Sequence, residues 1–219
     1  MITTAMRRYA AEIYRLQEYH DFVSISVLSE HLCVSLQAIS RMIRRLKTGG
    51  YILHEPYRGV RLTQEGEVIA LPAIRRHRLI EVYLVRKMKF GWHEVHEVTD
   101  QFVLGIDDVL EKRIDDLLDH PTRCPHGEPI PMVDGRMPVI KDSSLVKSTV
   151  GKIYRISRVR VHDQDKLRYL GELGLYPGAA FKALSFAPFN GPVHIQIDRQ
   201  EVVLSHELAA ALFVEEHTT

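Results

Sequence analysis

Cysteine is nearly missing from this chain: its 219 residues hold two, Cys33 and Cys124, far apart and in no metal or redox spacing. That excludes a disulfide scaffold, and both side chains read as ordinary thiols of a reducing cytoplasm. Long apolar runs are missing too. No stretch approaches the roughly 20 residues of a membrane helix, and the N-terminus has no signal-peptide core, so no membrane partner is expected. His-Glu-x-x-His is absent as well. A metallo-hydrolase built on His77, Glu81 and His96 would need an open coordination position and a general base in a pocket, and the chain is not read as an enzyme. No small organic ligand is expected either.

What remains is an ordinary globular composition, 45% hydrophobic and 26% charged, whose net charge of +1 conceals an asymmetry. Residues 1–78 hold 12 Lys/Arg against 7 Asp/Glu, whereas residues 79–150 hold 9 against 13. A basic first third suits phosphate contact, and an acidic middle suits cations.

The first third carries helical periodicity. Thr3 or Thr4 can cap a helix with Met6, Tyr9, Ala10, Ile13 and Leu16 on one face. Ser24–Leu32 reads as a second helix, Cys33-Val34-Ser35 as a turn, and Leu36–Thr48 as a third helix capped by Ser35 and ended at Gly49-Gly50. Two short strands, 51–53 and 60–62, flank a turn at 55–59. Helix, turn, helix and hairpin in this order predict a winged helix-turn-helix. Ser35, Gln37, Ser40, Arg41 and Arg44 on the third helix, with Arg58 and Arg61 on the hairpin, are its candidate DNA contacts.

Further helices are expected over 63–71, then past Pro72 to about Met88, over 92–105, and over 107–118. Val95, Val98, Phe102, Val109, Ile114 and Leu117 form apolar stripes that suit either a dimer interface or the domain's own core. Seven Pro and Gly residues between 120 and 148 predict a linker. Strands at 151–158, 180–186, 193–197 and 201–204, with a brief helix near 165–173, predict a small five-stranded barrel. The fold class is thus multidomain and mainly α. The expected division is a DNA-binding domain over 1–72, a helical metal-binding and dimerisation domain over 73–122, a proline-rich linker over 123–148 and an SH3-like domain over 149–219.

His77 and Glu81 lie four residues apart, one helical turn, which puts an imidazole and a carboxylate on one face. His96 follows fifteen residues later, with Asp100 one turn beyond it. Nitrogen and oxygen donors without thiolate suit Mn(II), Fe(II), Co(II) or Zn(II) and argue against a soft-metal sensor. His93 lies one turn before His96 but ranks below these residues as a ligand, and the remaining histidines, His126 among them, show no comparable spacing.

Several segments together resemble the family of metal-dependent repressors that includes the diphtheria toxin repressor and the manganese transport regulator. They are Leu62-Thr63-Gln64-Glu65-Gly66, Arg76-His77-Arg78-Leu79-Ile80-Glu81, Val95-His96-Glu97, Pro125-His126-Gly127-Glu128-Pro129-Ile130-Pro131 and Leu170 through Gly178. The last resembles the SH3-like domain that the family shares with ferrous-iron transport accessory proteins. The resemblance implies a homodimer that binds a palindromic operator in double-stranded DNA once its metal is bound. It also implies a site of His77, Glu81 and His96, completed from the SH3-like domain by Asp163, with Asp165 or a water as substitutes for a position matching Lys166. The family's other site matches poorly: Arg8, Val103 and Leu104 stand at ligand positions and only Asp100 could coordinate. An Arg8–Asp100 ion pair is the expected replacement.

The function expected is a Mn(II)- or Fe(II)-dependent regulator of metal-homeostasis genes, with Mn(II) first and Zn(II) or Co(II) as substitutes in vitro. The alternative is a constitutive winged-helix repressor whose metal is structural only.

Overall fold

The computed structural model describes residues 2–18 and 20–217, and Leu104 by its backbone alone. The chain forms two compact units, Met1–Arg76 with Pro131–Met137, and His77–Ile130 with Pro138–Thr219.

In the first unit, α1 (Thr4–Leu16) begins where the Thr3 hydroxyl accepts the Met6 N–H. Helix α2 (Ile25–Leu32) is capped in the same way by Ser24, and α3 (Leu36–Thr48) by Ser35. Each cap satisfies an amide that the first helical turn leaves without a partner. Cys33 ends α2 in a left-handed conformation, φ 53°, which turns the chain into α3. Ile39, Ile43 and Leu46 recur at helical spacing and close a core with Ala10, Ile13, Leu28 and Leu32.

Strands β1 (Ile52–Glu55) and β2 (Gly59–Leu62) pair antiparallel, Ile52 opposite Leu62 and Glu55 opposite Gly59. Residue 23 adds a one-residue bridge on the other edge of β2, because Val23 and Val60 exchange both backbone hydrogen bonds. Gly59 is required here. Its φ is +117°, and a Cβ would lie 2.1 Å from the Val23 carbonyl oxygen. Helix α4 (Gln64–Arg86) then runs 23 residues through Pro72 without restarting. Proline removes one helical hydrogen bond, and burial of Ile69, Ala70 and Ile74 around it holds the helix together.

In the second unit, the later half of α4 contributes Leu79, Ile80, Val82 and Leu84 to a core. Helix α5 (Val95–Phe102) passes into a 3-10 turn at Val103–Gly105, and α6 (Asp108–Leu117) is capped by Asp107. The expected apolar stripes divide. Val95 and Ile114 are buried, whereas Phe102, Val109 and Leu117 are exposed.

The start of the proline-rich stretch, expected as linker, is folded. Cys124 N–H donates to the Glu128 carbonyl, Ile130 N–H to Thr122, and Gly127 N–H to Cys124. Arg78 of α4 donates to the Pro129 carbonyl at 2.6 Å. Strand β4 (Ile153–Val159) pins the other side, with Val159 N–H on the His126 carbonyl at 2.8 Å. Gly127, φ +85°, allows this approach, since a Cβ would sit 2.1 Å from the Ser157 carbonyl oxygen.

The C-terminal segment holds β3 (Ser143–Ser144), β4, α7 (Gln164–Glu172), β5 (Ala180–Phe186), β6 (Val193–Ile197), β7 (Gln200–Leu204), α8 (His206–Ala211) and β8 (Leu212–Glu216). They form one antiparallel sheet in the order β3-β8-β4-β5-β6-β7. Six strands thus replace the five expected. Its core gathers Leu145, Ile156, Leu167, Leu170, Phe181, Ile195 and Leu212, and Trp92 packs against it.

Candidate functional site

One helical turn of α4 places His77 Nε2 3.1 Å from Glu81 Oε1, both side chains buried. From α5, His96 brings Nδ1 to 3.0 Å of the same oxygen. The three residues offer ligand atoms all within 4.8 Å of one another. His96 Nε2 is buried without a hydrogen-bond partner, a cost of about 1–3 kcal/mol that coordination would relieve. The donors therefore fit a divalent cation.

A second group shares the carboxylate. Glu81, Cys124 and His126, all buried, also place ligand atoms within 4.8 Å of one another. His126 Nδ1 lies 3.8 Å from Glu81 Oε2 and 3.9 Å from Cys124 Sγ. Each Glu81 oxygen thus faces a different group. His126 Nε2 sits 2.8 Å from the Trp92 carbonyl, which accepts, so Nε2 carries the proton and Nδ1 turns its lone pair toward Cys124 and Glu81. The His96 and His126 rings stack, centroids 4.3 Å apart.

This second group puts a thiol, Cys124, beside donors that the sequence reading took as free of sulfur. The available signal was the Cys124-Pro125-His126-Gly127 run, two donors separated by a proline and followed by a glycine.

Electrostatics favour anionic Glu81. Burial would raise its pKa, but the charge of His77 and hydrogen bonds from His77 and His96 hold it well below the usual carboxylate range. Burial pushes the Cys124 thiol well up, reinforced by the Glu81 charge. A cation there would have to displace the thiol proton.

The other predicted ligands fall differently. Asp100 is exposed, its Oδ1 3.5 Å from His77 Nδ1. Asp163 is absent from both groups. It caps α7, its Oδ1 accepting the Lys166 N–H at 2.8 Å. A cap residue directs its side chain back over its own helix, which keeps Asp163 out of the two groups. Its neighbour His162 instead brings a ring to 4.6 Å from that of His96. Asp165 pairs with Arg168, and Lys166 with Glu207. Arg8 is exposed on α1, Val103 is half-buried, and the side chain of Leu104 lies outside the described residues.

Of the candidate DNA contacts, Gln37, Arg41 and Arg44 are exposed along α3, Ser40 is half-buried, and Ser35 serves as the cap. Arg58 and Arg61 are about half exposed, yet both are ion-paired to Asp21.

A winged helix-turn-helix, a buried His/Glu centre on the following helices and an SH3-like module define a metal-dependent DNA-binding regulator. Comparison with known proteins makes this specific. Residues 1–60 match the iron-dependent repressor N-terminal DNA-binding domain, and residues 63–132 match its metal-binding and dimerisation domain. Residues 144–216 match the FeoA domain. The iron-dependent repressor IdeR of Mycobacterium tuberculosis is 29% identical over 97% of this chain and 96% of its own. A manganese-dependent transcriptional repressor solved in complex with manganese is 32% identical, with TM-score 0.87 over 97% of this chain and 100% of that one. ScaR with bound Cd2+ gives TM-score 0.80 at 28% identity, covering 97% and 99%. The chain belongs to the diphtheria toxin repressor and manganese transport regulator family of metal-dependent transcriptional repressors.

Proposed function

We propose that this protein is a homodimeric repressor that binds a palindromic operator when Mn(II) or Fe(II) fills the centre around Glu81. The observation that carries the reading is Glu81 itself, a buried carboxylate with one oxygen toward His77 and His96 and the other toward His126. When bound, the cation supplies fixed positive charge and links side chains that otherwise meet only through hydrogen bonds. His77 and Glu81 hold one side from α4, His96 another from α5, and Cys124 and His126 a third from the folded segment 122–130. The Trp92 carbonyl keeps His126 in the tautomer that presents Nδ1.

His162, not Asp163, is the residue from the SH3-like module best placed to approach His96. The thiol of Cys124 favours softer ions than nitrogen and oxygen donors alone would, so Fe(II) and Mn(II) stand closer together than the sequence implied. That a relative was solved with manganese and another is named iron-dependent agrees with this pair.

Exposed Phe102, Val109 and Leu117 supply apolar area for a second copy. In the dimer, the two α3 helices would meet successive major grooves about one turn apart, with Gln37, Arg41 and Arg44 toward the DNA. Metal can favour that pose only by binding it more tightly than the alternative. Helix α4 is continuous from the first core to the metal ligands, so ordering at His77 and Glu81 can bias it.

The test is titration of a promoter duplex from a metal-transport gene with Mn(II) and with chelator, beside thermal melts under both conditions. Metal control predicts tighter binding with Mn(II) and a chelated protein that stays folded. Unfolding or dissociation to monomer on chelation, with operator binding lost in step with the fold, would favour a structural metal.

A further inference from the structure

The wing arginines are already occupied. Arg58 Nη2 donates to Asp21 Oδ2 at 3.0 Å, Arg58 Nη1 to Glu55 Oε2 at 2.7 Å, and Arg61 Nη1 to Asp21 Oδ1 at 2.9 Å. The Arg58 guanidinium also lies over the Phe22 ring, 4.0 Å from its centroid. Two cations and two carboxylates leave the wing with no net charge among these four groups.

The arrangement is built into the backbone. Asp21 and Phe22 directly precede Val23, whose two hydrogen bonds to Val60 tie this segment to β2 between Arg58 and Arg61. Gly59 makes that approach sterically possible. The turn tip itself carries Tyr57, fully exposed with φ 65°, a conformation that bulky residues rarely adopt.

We infer that Asp21 is a built-in competitor of DNA phosphate: bridging Arg58 and Arg61, with Glu55 as the second carboxylate on Arg58, it keeps the wing neutral and so suppresses sequence-independent binding. Phosphate contacts supply nearly all non-specific affinity, so silencing two of them leaves discrimination to the exposed face of α3. The four groups are about half exposed, and such pairs are weak. They are therefore displaceable by a phosphate held in place on a cognate site, where α3 adds base contacts. Asp21 thus sets specificity without touching a base. The inference rests on the DNA-binding reading above.

The experiment measures binding of the full chain with Mn(II) to a random-sequence 30-base-pair duplex by fluorescence anisotropy across a KCl series. Asp21→Asn should bind roughly 5- to 10-fold tighter at low salt, with a log–log salt slope steeper by about 0.9 for the one net positive charge released, Glu55 still holding Arg58. The same substitution in an Arg58→Gln/Arg61→Gln background should change neither quantity. No gain in the single variant would overturn the inference. So would an equal gain in the double-arginine background, because that would mark a general field effect of removing one negative charge. Unchanged thermal melting of each variant shows that the fold is retained. Failure of the DNA-binding reading looks different: no duplex binding by any variant, Arg44→Gln included, at any salt.

Discussion

At the scale of single residues, the centre is defined by which donors meet Glu81. His77 and His96 were legible in the sequence because each lies on a helix, where spacing fixes direction. Cys124 and His126 were not, since they reach Glu81 through a non-repeating turn held by Arg78 and by Val159, partners 46 and 33 residues away from Cys124 and His126 in the sequence. Asp163 sits instead at the start of α7, and nothing in its spacing distinguishes a ligand from a helix cap. The shared carboxylate gives a direct expectation. With Co(II) as a spectroscopic probe, Cys124→Ser should abolish the thiolate-to-metal charge-transfer band, while His77→Ala should retain it. Absence of the band in the parent, or its persistence in Cys124→Ser, would place the Cys124 sulfur outside the coordination shell.

A second prediction at this scale concerns Asp142. Burial alone would raise its carboxyl, but Arg158 and Ser157 hydrogen-bond it, and the Arg158 and Arg160 charges add to them, holding it below the ordinary range. Arg158 grips it through two bonds of 2.7 and 2.8 Å. A carboxyl depressed in the folded state contributes stability above its unfolded pKa, about 3.9, and loses it as pH falls through the folded value. Urea melts from pH 7 to 2.5 should therefore show Asp142→Asn less stable than the parent at pH 7, with the gap closing below about pH 4. A gap independent of pH would refute the ionic contribution.

At the scale of elements, helices with clean caps and periodicity were read to within a residue or two. Thr3, Ser24, Ser35 and Asp107 cap α1, α2, α3 and α6. What sequence could not settle was decided by packing. Pro72 reads as a break, yet its buried neighbours carry α4 through it. Strand β8 was missed because its five residues pair with β3 and β4, distant in sequence and invisible to local pattern. The wing supplies a test of tertiary geometry. Gly59→Ala meets both an unfavourable φ and the Val23 carbonyl, and should destabilise the first unit by about 2–4 kcal/mol in urea unfolding. A loss under about 0.5 kcal/mol would mean the Val23–Val60 bridge does not hold in solution.

At the scale of the whole molecule, three domain types in one chain make one device out of parts that are common separately. A winged helix alone explains DNA contact, and a His/Glu pair alone explains metal affinity. Their combination, with the FeoA-type module, is what the family comparisons attach to repression under metal control. The exposed apolar residues of α5 and α6 predict that Val109→Glu shifts the protein toward monomer by sedimentation and weakens operator binding in parallel. A dimer unaffected by that change would move the interface elsewhere.

The most direct measurement of the central claim is the operator affinity of the parent and of Glu81→Gln, each with saturating Mn(II) and with chelator. The parent should bind at least tenfold tighter with Mn(II), and Glu81→Gln should lose that difference while remaining folded. Equal affinity of the parent in both conditions would contradict metal control outright.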